Sequence, residues 1–160
     1  MDKRPWTAMG VGSSSAVAMD MFWYREVKHL PDPTKHGAPS AAIAGRMYLY
    51  NSAKRGKPIE GDGKVVVEVF DDAPTDGSGA KLLQTVNFPP EVLATMKSSD
   101  MIGIGYTLVV PCEPSYKKVH LVARYEPKSG SPFFFTSESI TLVHGSPAAG
   151  MPPASQIVSR

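Results

Sequence analysis

The residues of this chain that could hold a metal or move a proton are few and widely spread. Its four histidines are His29, His36, His120 and His144. His29 and His36 are separated by proline-containing sequence, so no helical turn aligns them. No HExxH, paired-cysteine, P-loop or GxGxxG pattern occurs. Serines are plentiful, yet none sits in a Gly-x-Ser-x-Gly elbow, and no histidine is marked as a shared base. Glycosidase chemistry would need two carboxylates to meet, for example among Glu60, Asp62, Glu68 and Asp71. The loops Glu60-Gly61-Asp62 and Asp71-Asp72…Asp76 also lack the ordered oxygen ligands of an EF-hand. Solvation and turn stabilisation account for those acids. A soft metal could draw Met9, Met19, Met21 and His29 together, but methionine is more often an adaptable apolar filler. Gly103 and Gly105 alternate inside a strand pattern, whereas a phosphate loop needs a turn leading into a helix. The expectation is therefore no catalytic, cofactor-binding or metal-ligating residue, with a hydrolase the least favoured function.

Cys112 is the single cysteine. It cannot form an intrachain disulfide and can supply at most one metal ligand, so a structural thiol is expected. Seventeen Lys and Arg against fifteen Asp and Glu leave a net charge of +2. The basic residues are scattered as Lys3-Arg4, Lys54-Arg55, Lys57 and Lys117-Lys118, without the dense face that nucleic acid requires. No apolar run approaches the roughly 20 residues of a membrane span. Lys3 and Arg4 precede an apolar stretch ending in Ala16-Val17-Ala18, but Gly10, Gly12 and Ser13 to Ser15 weaken it as a leader. No cleavable leader is expected, and a cytoplasmic location is slightly favoured.

These side chains need a scaffold, and 160 residues suffice for one. A chain of this size buries roughly 69% of its surface on folding, enough for a core without disulfides. Residues 1–40 read as an N-terminal arm. Ala16, Met19, Trp23 and Val27 recur near a 3.6-residue period, so a short helix over 15–28 and an extended arm are both compatible. From 41 to 143 the period becomes two. Strands are expected at 46–50, 64–70, 81–88, 101–110, 117–125 and 133–143. Val65, Val67 and Val69 share one face of the second, and β-branched residues favour that pleated surface. Pro89 and Pro90 suit the start of a helical turn before Ser99. Residues 144–160 form a Gly/Pro-rich tail. Crossover helices between strands are absent, which excludes a doubly wound α/β fold. The expected fold is all-β: one predominantly antiparallel sandwich of about six or seven strands, one short connecting helix and extended termini. A six-stranded barrel is the runner-up.

Gly45-Arg46-Met47-Tyr48-Leu49, then Gly56-Lys57-Pro58-Ile59-Glu60-Gly61, then Val65-Val66-Val67-Glu68-Val69 resemble the start of prealbumin-like modules. Such modules occur in bacterial surface proteins and as carboxypeptidase regulatory domains. The resemblance covers about 25 residues and implies a small β-sandwich used for adhesion, assembly or sugar contact. A Lys–Asn crosslink of some such modules has no place here, because Arg46 stands where a lysine would be required. The rest of the chain is similar to bacterial β-sandwich proteins, which implies no chemistry.

Trp6 and the run Phe22-Trp23-Tyr24 are the least ordinary residues, since Trp and Tyr commonly anchor interfaces. They are expected to contact a partner protein or a second copy, or to fold back over their own sandwich. Open sheet edges favour the same role, because an arm or tail can add to an edge. The expected function is a noncatalytic structural or accessory subunit that binds partner chains through its termini and sandwich surface. The alternative is a carbohydrate- or small-ligand-binding module using exposed Tyr48, Tyr50 or Phe134.

Overall fold

The structure is a computed structural model and describes residues 15–31, 36–74 and 77–145. Its elements are β1 (Ala18–Trp23), β2 (Lys28–Pro31), β3 (Pro39–Tyr50), β4 (Lys64–Asp71) and β5 (Lys81–Phe88). There follow α1 (Pro90–Thr95), β6 (Lys97–Ser99), β7 (Ile104–Pro111), β8 (Lys118–Glu126), β9 (Phe133–Thr136) and β10 (Ile140–Thr141). They form two antiparallel sheets. Sheet I has the order β1-β3-β7-β6, with β2 continuing the β1 edge along β3; sheet II has the order β10-β8-β4-β5, with β9 also on β8. The expected all-β sandwich is present.

Alternation decides which residues meet between the sheets. Ile43, Met47, Leu49, Tyr106, Leu108 and Val110 point inward from sheet I, and Val65, Val67, Val69, Leu121, Ala123 and Tyr125 from sheet II. The long β3–β4 connection is fixed by two core tyrosines. Gly61 N donates to Tyr106 Oη at 2.9 Å, and Gly63 N donates to Tyr125 Oη at 2.7 Å. Each bond satisfies a hydroxyl that burial would otherwise strand. Burial pushes the Tyr125 phenol up to about 12, against the lowering effect of the Gly63 amide. Cys112 is buried as well, and desolvation pushes its thiol up to about 11. It is therefore protonated at neutral pH and a poor nucleophile.

The N-terminal segment differs from expectation. Residues 18–23 form an edge strand, neither a helix nor a free arm, so the sandwich begins well before residue 41. Met19 and Met21 are core residues, each 4% exposed. After Trp23 the chain leaves β3 for Tyr24 to Val27. Here Val27 N donates to Val143 O, and Val143 N donates to Arg25 O, both at 2.9 Å. Glu26 and Val143 form a parallel bridge. Then β2 rejoins β3 with Lys28 opposite Ala42. This excursion ties the edge of sheet I to the end of sheet II and interrupts an edge that would otherwise run straight.

Candidate functional site

On the outer face of sheet I, the central residue is Arg46 of β3, only 7% exposed. Gly105 on the neighbouring strand makes room for it: a Cβ there would lie 2.9 Å from Arg46 Nη2 and 2.8 Å from the Tyr48 ring. Arg46 Nε donates to Asp100 Oδ2 at 3.1 Å and to Tyr48 Oη at 3.3 Å. Nη1 donates to Ser98 Oγ at 2.8 Å and Thr107 Oγ1 at 3.0 Å, while Nη2 donates to the Ser98 carbonyl at 2.8 Å. Tyr48 Oη also donates to Asp100 Oδ2. The guanidinium fork thereby joins β3, β6, β7 and the β6–β7 turn.

Asp100 uses its other oxygen to build that turn. Its Oδ1 accepts from Ile102 N at 2.8 Å and Gly103 N at 3.1 Å. Gly103 has φ +141, and Pro58 packs behind it. The turn presents Met101, 102% exposed, and Ile102, 55% exposed. Two large apolar side chains thus stand in water on a turn pinned from below. The Tyr48 hydrogen bond, helped by the Gly103 and Ile102 amides and the Arg46 charge, holds the Asp100 carboxyl at about 2 despite partial burial. A carboxylate whose folded value lies below its unfolded one stabilises fully above the unfolded value, about 3.9, and loses that contribution as pH falls toward the folded one. Protection of the Ile102 and Gly103 amides, measured relative to their intrinsic exchange rates, should therefore fall between about pH 4 and pH 2. Asp100→Asn should remove that pH dependence; unchanged pH dependence in the variant would exclude Asp100 as its source.

The aromatic run expected at an interface is split by the pleat. Trp23 turns inward, its ring lying where a Gly45 Cβ would be. Phe22 and Tyr24 stay on the outer face, each 45% exposed, in an edge-to-face pair at 5.7 Å. Trp6 lies outside the described residues, as does the tail from residue 146 onward. Tyr48 and Tyr50, expected as exposed ligand contacts, are 3% and 5% exposed. Tyr48 lies over Gly105 beneath Phe22, and the Arg55 guanidinium covers Tyr50 at 5.8 Å. Neither ring has a free face. Phe134 on the outer face of sheet II is 60% exposed.

The titratable groups do not assemble a catalytic set among the described residues. His120 Nδ1 lies 2.7 Å from Asp72 Oδ1, and Ser139 Oγ donates to Asp72 Oδ2 at 2.7 Å. Serine and histidine both engage the carboxylate, so this hydroxyl is not bonded to the base that would activate it. Burial raises the Asp72 carboxyl, but the Ser139 and His120 bonds and nearby positive charge outweigh it and lower the group. His29, Cys112 and His144 border a groove of about 630 Å³ at the other end of sheet I. Among the described residues, no three His, Cys, Asp or Glu side chains converge where an ion could sit. No described helix is long and apolar enough to cross a membrane.

Sequence reasoning missed the turn site. The spacing Asp100-x-x-Gly103 carries its signal, because an aspartate accepting from amides two and three residues on closes a turn. No protein-family model, curated protein or solved structure matches the chain.

Proposed function

We propose that this chain is a noncatalytic interaction module, a structural or accessory subunit whose partner contact is the β6–β7 turn. One observation carries the reading: Met101 and Ile102 are exposed on a turn that Asp100 and Arg46 hold rigid. Exposed apolar side chains contribute little to their own core, and a pre-ordered turn reduces the entropy lost on docking. The strand order supports an immunoglobulin-like sandwich. Sheet I corresponds to the four-strand ABED sheet, and sheet II to the CFG sheet with β5 added beside β4.

The test is a Met101→Ser, Ile102→Ser double variant. Its stability should stay within about 0.5 kcal/mol of wild type, because both side chains lie on the exposed surface. The tagged wild-type chain, expressed in its own cells, should elute in an assembly larger than the free chain. The double variant should elute alone. A wild-type chain that elutes alone, or a variant that keeps the assembly, would remove the turn as the contact.

A further inference from the structure

Sheet II ends in an edge with little protection. β5 pairs with β4 on one side and with no described strand on the other. In an antiparallel pair alternate residues turn their N–H and C=O groups away from the neighbour, so β5 keeps an outward row of donors and acceptors. The other described edges are short or broken. β6 has three residues. Tyr24 to Val27 interrupt the β1–β2 edge, and Ser137 to Ser139 separate β9 from β10. By contrast β5 runs for eight residues, and Leu82 to Phe88 contain no charge, proline or glycine. Its one irregularity skips Leu83 in the ladder, and Gln84 to Phe88 then face Val69 to Val65 in unbroken register. Such an open, uncharged edge is a template for another strand.

The side chains at the two ends of this edge indicate which strand. Lys81 opens β5, and Glu91 stands in the first turn of α1, just past Phe88. Both are exposed, and neither forms an ion pair among the described residues. Asp71 faces Lys81 across the ladder, yet its Oδ1 accepts from the Ala73 amide. A single copy therefore leaves a cation at one end of the edge and an anion at the other. Lys81 and Glu91 lie equally far in sequence to either side of Val86. An antiparallel second copy, related by a two-fold axis at Val86, sets each Lys81 level with Glu91 of the other copy. Exposed Thr85 then faces exposed Asn87 of the other copy, a pair able to hydrogen-bond. An in-register parallel copy would instead set Lys81 beside Lys81 and Glu91 beside Glu91, which is repulsive. The antiparallel pairing is isologous, so it closes at two copies and uses up the edge.

We propose that this chain forms a two-fold dimer by antiparallel pairing of β5 with β5 of a second copy, joining their two sheets II into one. This contact lies on a different sheet from the β6–β7 turn and does not depend on the interaction reading. One pair of strands is a small contact, in the class below about 1,200 Å² that associates transiently.

Sedimentation velocity of the full chain, from low micromolar to near-millimolar concentration, should show a monomer–dimer equilibrium. Lys81→Glu and Glu91→Lys should each weaken dimerisation about tenfold, because the two-fold axis converts two attractions into two repulsions. The double variant should return to within about twofold of wild type, since the swap restores both pairs. Thr85→Lys with Asn87→Lys sets like charges opposite each other twice and should abolish the dimer. All four positions are exposed, so thermal melts in the monomer range should match wild type. The Met101→Ser, Ile102→Ser variant should dimerise as wild type does. A chain that stays monomeric throughout, or a dimer that survives Thr85→Lys with Asn87→Lys, would overturn the proposal. So would single charge changes without effect, or a double swap that fails to restore what each single change lost.

Discussion

Gly63→Ala should destabilise the fold by about 3 kcal/mol, although it adds a single methyl group. A Cβ at this position would sit 1.9 Å from the Glu126 carbonyl oxygen and 2.7 Å from both Glu126 C and Pro127 Cα. Each of these is a backbone atom, so no side-chain rotation relieves the clash. Lys64, the next residue, is opposite Glu126 in the β4–β8 ladder at the centre of sheet II. Separating the chains there would also stretch the Gly63 N to Tyr125 Oη bond. Overpacking costs about 1–3 kcal/mol, and a lost buried hydrogen bond adds about 1. For a chain of this length that lowers Tm by about 6–12 °C. Gly79→Ala is the control: it is exposed, and nothing lies within 4 Å of its would-be Cβ. Thermal melts of the two variants should differ clearly. Equal melting would mean that the Glu126–Pro127 backbone yields at little cost.

The sandwich was legible where one face of a strand is fully buried and the other is not. Val65, Val67 and Val69 alternate with Val66, Glu68 and Phe70, and β4 spans Lys64–Asp71. β5 occupies Lys81–Phe88, and Pro90 opens α1. The N-terminal strand was obscured by its irregularities. Val17 N donates to Tyr50 O although Ala18 stands opposite Tyr50, and the Tyr24 to Val27 excursion adds residues facing only two of β3. Each insertion changes which face a residue meets. Ala16, Met19, Trp23 and Val27 consequently all turn to the interior, imitating a helical period within extended chain. β6 carries no apolar residue, so its pairing with β7 left no pattern to read. A strand was expected from residue 101, whereas the Asp100 turn delays β7 to Ile104 and leaves Ile102 exposed. Arg46 and Tyr48 alternate with Met47 and Leu49 along β3, but the burial of this outer pair depends on Gly105 and Asp100, more than fifty residues away. Long-range covering of an outer face is invisible to local alternation.

Arg46→Ala should also lower stability by about 3 kcal/mol, through loss of polar partners instead of a clash. The guanidinium is 8% exposed at the side chain and Asp100 39% exposed, so water can re-solvate part of what is left. That places the effect at the lower end of the 3–5 kcal/mol typical of breaking a buried ion pair. Arg46→Lys should recover less than half of the loss. An ammonium presents its donors from one point, whereas the fork reaches Asp100, Ser98 and Thr107 in different directions. The variant also separates stability from function. Amide exchange at Ile102 and Gly103 should quicken well below the melting transition, because Asp100 loses the cation that fixes it while keeping the Tyr48 bond. If the turn is the partner contact, assembly should weaken even though Met101 and Ile102 are untouched, since docking must then order the turn at an entropic cost. Melting near the wild-type temperature would show that the network does not stabilise the fold. A lowered Tm with unchanged exchange at Ile102 and Gly103 would show that Arg46 supports the sheet without holding the turn, and rigidity would cease to be part of how the turn binds.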